Sequence, residues 1–122
     1  MQPLTSNDAS LVLNGLPGVG PMLYKRLQSA LGDPLEALRA PEERLRAILG
    51  AGSARVIQTL LRWPEYFDLA KEKALMHSSG VRFITQGEAV FPPLLQQIGD
   101  PPIGLYVKGG ALTGRPTVGI VG

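Results

Sequence analysis

The chain has 122 residues, enough for one ordinary domain or for a small domain and the opening of a second. Apolar residues make up 44% and charged ones only 18%, which excludes disorder driven by charge excess. The net charge of +2 is too small to mark a nucleic-acid binder by itself, and the absence of cysteine removes disulfides, thiolate nucleophiles and Cys-ligated zinc together.

His77 is the only histidine, so a His-rich metal cage cannot be built and Ser-His-Asp chemistry would depend on that one residue. No apolar run approaches the roughly 18 residues of a membrane span. Residues 1–10 lack the basic and apolar regions of a signal peptide. The expectation is a soluble cytoplasmic protein without membrane contact. Residues 25–62 carry seven basic side chains against four acidic ones, a mild bias that an anionic partner or a solvated helical surface explains equally.

Up to Ser79 the pattern is helical, in short pieces punctuated by turn residues. Asn7 or Asp8 is placed to cap a first helix running to about Asn14. The sequence LPGVG at 16–20 ends it, and Pro21 opens a second helix with Leu23, Leu27 and Leu31 at helical spacing, stopped by Gly32. Asp33 caps a short third helix, Pro34–Arg39. Pro41 opens a fourth with Leu45, Ile48 and Leu49 on one face, closed by Gly50. Ser53 caps the longest segment, whose apolar stripe is Val56, Ile57, Leu60 and Leu61. Pro64 predicts a break or kink after Trp63, with a further helix from about 65 to 78 and Phe67, Ala70, Ala74 and Leu75 facing inward.

After Gly80 the texture becomes that of strands and turns, with eight glycines, five prolines and four charges in 86–122. Residues 81–85 and 105–108 read as strands, 92–98 as one or two helical turns, and 117–121 as a strand buried on both faces of a parallel sheet. An apolar strand ending VGIVG at Gly122 is how a dinucleotide-type fold enters its ligand loop, so the chain reads as stopping where a functional loop would begin. On that reading 103–122 lack sheet partners within the chain. The alternative is a complete small α+β domain whose last strand pairs with 105–108.

The most specific local signal is LPGVGP at 16–21. It resembles the hairpin of the helix-hairpin-helix motif, which holds nucleic-acid backbones without sequence preference: glycines let the main chain approach a phosphate, and the next helix points its amides at it. Gly18 and Gly20 are the candidate contacts, with Lys25 and Arg26 one turn further on. Tyr24 stands where that motif usually has a small alanine, and a tight turn between two packed helices explains the glycines as well. The segment GGALTGRPT at 109–117 fails as a phosphate loop, since Arg115 and Pro116 replace the lysine and hydroxyl it needs. Trp63, Tyr66 and Phe67 are open to two readings, a base-stacking cluster or a plug between helices. Glu65, Asp68 and Glu72 alternate with Lys71 and Lys73 as a solvated face. No catalytic or metal site emerges and no cofactor is called for.

Four ordered blocks in the second half organise these pieces: GVRFIT at 80–85, FPPLLQQI at 91–98, DPPIGLYVKG at 100–109 and PTVGIVG at 116–122. Together with the helical first 80 residues they resemble the DprA/Smf family of DNA-processing proteins. Phe91 departs from that family's usual tyrosine and Gly104 from a proline-like or apolar residue. The resemblance implies a mainly α, SAM-like or helix-hairpin-helix-like domain over 1–80, followed over 81–122 by the lead-in and first strand of an incomplete α/β Rossmann-like domain. It implies a non-enzymatic protein that binds and protects single-stranded DNA and loads the RecA recombinase in natural transformation, with a homodimer formed through later parts of the Rossmann-like domain. Of the family's DNA-binding loop only Gly122 is carried over. Two other readings stand beside it: an autonomous DNA-binding hairpin module, and a helical protein-interaction module. The core expected for the helical part is Leu11, Leu16, Val19, Leu27, Leu31, Leu45, Ile48, Leu49, Ile57, Leu60 and Leu61.

Overall fold

Local capping chemistry sets most helix boundaries. In the computed structural model, which describes residues 4–86, 88, 91–96, 101–108 and 119–121, helix α1 (Ser6–Gly15) is capped by Thr5 in place of the expected Asn7 or Asp8. The Thr5 hydroxyl accepts from the Asp8 amide at 3.0 Å, and Asp8 Oδ2 accepts from the Thr5 amide at 3.2 Å. This reciprocal capping box uses Asp8 as a helical residue that reaches back, which satisfies two otherwise orphaned donors.

Helix α2 (Pro21–Leu31) begins on its proline and ends at Gly32, whose φ of +83° is the left-handed stop that glycine adopts without a Cβ penalty. Helix α3 (Pro34–Arg39) is capped by Asp33, whose Oδ1 accepts from the Leu35 amide at 2.9 Å. Helices α4 (Glu42–Leu49) and α5 (Ala54–Leu61) are joined by a single 3-10 turn, Ala51–Ser53. Ser53 stands at the head of α5 without capping it; its hydroxyl donates back to the Leu49 carbonyl at 3.0 Å and ties the turn to α4.

The break falls just before Trp63, where the sequence placed it just after. The chain leaves the helix at Arg62, and Pro64 falls in the first turn of a short helix α6 (Trp63–Tyr66), where its missing N–H has no helical partner to lose. Asp68 then caps α7 (Leu69–Ser79), accepting from the Lys71 amide at 3.0 Å. Phe67 does pack inward, but Ala70, Ala74 and Leu75 face out. The face of α7 turned toward the protein is polar as well as apolar. Tyr106 donates to Glu72 Oε2 at 2.9 Å, and Lys73 pairs with the buried Asp8 at 3.1 Å, so the expected solvated charge row is partly engaged.

The helices close around Val12, Leu13, Leu16, Val19, Tyr24, Leu27, Ala37, Leu45, Leu49, Ile57 and Leu60. Leu31 and Ile48 are only half-buried, and Leu61 lies on the exposed side of α5. Tyr24 fills the contact between α1 and α2, where its hydroxyl meets Ser10 Oγ at 3.0 Å in the interior. Burial raises the Tyr24 pKa, the nearby Asp33 charge adds to the rise, and the Ser10 hydrogen bond opposes it.

Strand β1 (Val81–Thr85) follows Gly80, whose φ of +68° ends α7. It pairs antiparallel with β2 (Gly104–Lys108), Val81 opposite Lys108 and Thr85 opposite Gly104. The short helix α8 (Pro93–Gln96) lies in the connection. Strand β3 (Gly119–Val121) pairs antiparallel with β2, Val107 opposite Ile120, giving the order β1-β2-β3. Two expectations are therefore corrected: residues 104–108 and 119–121 do find sheet partners within the chain, the last strand pairing with 106–108 as the alternative reading had it, and that pairing is antiparallel. Gly104 has a steric role here, because a Cβ would meet the Phe83 ring and lie 2.6 Å from the Ile84 carbonyl oxygen.

Helices α1 and α7 pack against β1, and Ile103 joins the helical core directly. Asn7 Nδ2 donates to the Phe83 carbonyl at 3.0 Å, a further tie between α1 and the sheet. The described chain is thus mainly helical, with a small antiparallel sheet on the α1–α7 side. Gly122 and the segment 109–117 lie outside the described residues.

Candidate nucleic-acid interface

The α1–α2 turn is held from below and open above. Leu16 and Val19 are buried anchors, and the Val19 amide donates to the Leu16 carbonyl at 3.3 Å, while Pro17 and Gly18 are exposed between them. Gly18 has φ of +85°, a conformation that side chains with a Cβ rarely adopt. Gly20 is different. Its φ of −109° suits any residue, and nothing lies within 4 Å of where its Cβ would be, so its value is an uncovered main chain. No side chain caps α2 and no carboxylate lies in its first turn, which leaves the positive end of its dipole uncompensated.

A second glycine turn lies beside the first. Gly50 has φ of +91°, Gly52 is open on its Cβ side, and the 3-10 turn that follows leads into α5. A Cβ on Gly18 would sit 3.4 Å from Val56 Cγ2 on α5, so the first turn lies against the helix that the second turn leads into. Between them runs an open groove of about 760 Å³ whose walls include Pro17, Gly18, Ser53, Arg55 and Tyr66. Arg55 is exposed on the first turn of α5, where the Thr59 hydroxyl donates to its carbonyl at 3.1 Å. Among the described residues no carboxylate lines this groove. Such a surface can bring main-chain dipoles and one guanidinium against an anion with no like charge opposing it.

The structure separates the residues that the sequence grouped. Lys25 and Arg26 line a different groove, of about 1080 Å³, between α2 and α4, together with Met22 and Ile48. Leu23 is the wall common to both grooves, and Met22, 66% exposed, stands over the second. Gly18 therefore faces Arg55 and Ser53, with Lys25 and Arg26 around the other side of α2. Of the aromatic trio, Trp63 and Phe67 pack against the core and Tyr66 is exposed on the groove wall. His77 borders a smaller cleft with Asn7, Lys73, Arg82 and Glu88. Sequence reading missed Gly52, Ser53 and Arg55 as a unit, although GAGSAR at 50–55 between two helical stretches is the signal of a second glycine turn.

Among the described residues no group of three or more His, Asp and Glu is placed to hold a metal ion, and no helix is long and apolar enough to cross a membrane. No protein-family model matches the chain, and neither a curated protein nor a solved structure does.

Proposed function

We propose that the chain is the helical opening and lead-in strands of a DNA-processing protein of the DprA/Smf type, and that its helices touch the nucleic-acid backbone through the groove between the two glycine turns. The observation that carries this reading is the convergence of the Gly18 turn, the Gly50–Ser53 turn and Arg55 on one groove without a lining carboxylate. Backbone contacts of this kind position a strand without reading its sequence. The resemblance supplies the rest of the proposal: SAM-like helices, Rossmann-like strands, single-stranded DNA as the cargo, RecA as the recombinase served and a homodimer as the working form. The role is to hold and hand over DNA, with no bond made or broken.

The test is a salt titration of DNA affinity with the 122-residue chain. Neutralising phosphates releases counterions, so affinity falls as salt rises. Arg55→Glu is expected to weaken binding and to make the salt slope shallower by about 1, as loss of one phosphate contact requires. Absence of DNA binding, or an Arg55→Glu variant with unchanged affinity and slope, contradicts the proposal.

The groove of Met22, Lys25, Arg26 and Ile48 favours a second reading, a protein-interaction module, because an exposed methionine over an apolar floor suits an adaptable protein contact. Charge reversal at Lys25 and Arg26 that removes a protein partner while sparing DNA affinity supports it.

A further inference from the structure

The segment 62–68 holds one aromatic ring outward on a rigid base. Trp63 and Phe67 pack against the helical core, and the Phe67 amide donates to the Trp63 carbonyl at 3.0 Å, closing the turn. Pro64 fixes the backbone within that turn, and the Phe67 ring lies directly against Gly15 of α1. Tyr66, between these two anchors, is 51% exposed, and among the described residues its hydroxyl has no hydrogen-bond partner. About half of the Tyr66 surface is thus open to water, whereas its two aromatic neighbours are turned inward. Its ring lines the same groove that carries Gly18, Ser53 and Arg55.

We infer that Tyr66 is a stacking platform for an unpaired base, making the groove between the two glycine turns a single-strand subsite. The inference rests on the backbone-binding reading of that groove and adds the side chain by which the groove itself would tell an unpaired strand from a duplex. Arg55 and the open glycine main chain supply contacts to the phosphate, which every nucleic acid has. A ring face can be covered only by a base whose own face is free, and in a duplex both faces of each base are already occupied by neighbouring pairs. The mixture of a guanidinium, exposed main chain and a single aromatic face, without a carboxylate, fits a nucleotide better than an apolar peptide, which would leave Arg55 desolvated without a partner.

The experiment measures fluorescence anisotropy of a labelled short oligothymidylate and of a labelled short duplex with the wild-type chain and with Tyr66→Ala, Tyr66→Phe and Arg55→Glu, each checked for helical content by circular dichroism. Tyr66→Ala is expected to weaken oligothymidylate binding by roughly tenfold or more while leaving duplex binding unchanged. Tyr66→Phe keeps the ring and is expected to bind as wild type. Equal losses for Tyr66→Ala and Tyr66→Phe would assign the effect to the hydroxyl and overturn stacking. Unchanged oligothymidylate affinity in Tyr66→Ala, with both ligands weakened by Arg55→Glu, overturns the single-strand subsite and leaves backbone binding standing. Binding of neither nucleic acid by the wild-type chain overturns both.

Discussion

Glycines in this chain serve three separate physical ends. Gly15 is needed for space, since a Cβ there would enter the Phe67 ring although the backbone is ordinary helix. Gly18 is needed for conformation, and Gly20 for neither. Gly15→Ala is therefore expected to destabilise the fold by about 1–3 kcal/mol through overpacking at α1, while Gly20→Ala changes stability by less than about 0.5 kcal/mol. Urea denaturation of the two variants checks this, and equal effects would contradict it. Sequence alone ranks LPGVG as the informative glycine pair and passes over Gly15, because the constraint on Gly15 comes from a ring 52 positions away. Tyr24 is a similar case: it departs from a motif's small residue, yet Ser10, also off the motif, takes its hydroxyl and makes room for it in polar terms.

At the level of elements, legibility followed how local each signal was. Helix α3 was readable to the residue because Gly32, Asp33 and Pro34 act within their own turn. The α7 face was misjudged because apolar periodicity selects Ala70, Ala74 and Leu75, whereas Glu72 and Lys73 engage Tyr106 and Asp8 through bonds that periodicity does not register. The antiparallel pairing of β3 is likewise non-local, a choice of neighbour that the apolar run itself does not encode. The Tyr106–Glu72 bond gives the helix–sheet junction a pH signature. Burial, the hydrogen bond to Glu72 and the Glu72 charge push the Tyr106 phenol up to about 12 from 10.0, with the Asn14 side chain opposing. A raised phenol pKa favours the fold while the group is protonated in both states, so its contribution is whole below pH 10 and is lost as pH climbs from 10 toward 12. Stability measured across that window is expected to fall, and to fall less steeply in Tyr106→Phe; identical slopes would contradict the assignment.

For the whole molecule, helices and sheet are joined by specific ties, Ile103 in the helical core, Asn7 on the Phe83 carbonyl and Tyr106 on Glu72, while Lys73 on Asp8 ties α7 to α1. These ties lie on the α1–α7 side, while the glycine turns, α5 and α6 form a separate surface that carries Arg55 and Tyr66. That division lets one side be consumed by internal packing and the other remain available to a ligand. Only half of this surface was visible in the sequence, where LPGVG announces a turn but cannot announce that Gly52 and Ser53 will line the same groove. The proposed function stands or falls on whether DNA binds the chain and at which residues. Amide chemical-shift mapping by NMR, with an oligonucleotide added to the isotopically labelled protein, is the most direct measurement. The account predicts that the perturbed amides cluster at Gly18, Gly20, Gly52, Ser53, Arg55 and Tyr66. Shifts confined to Met22, Lys25, Arg26 and Ile48, or to α7 and the sheet, would contradict it.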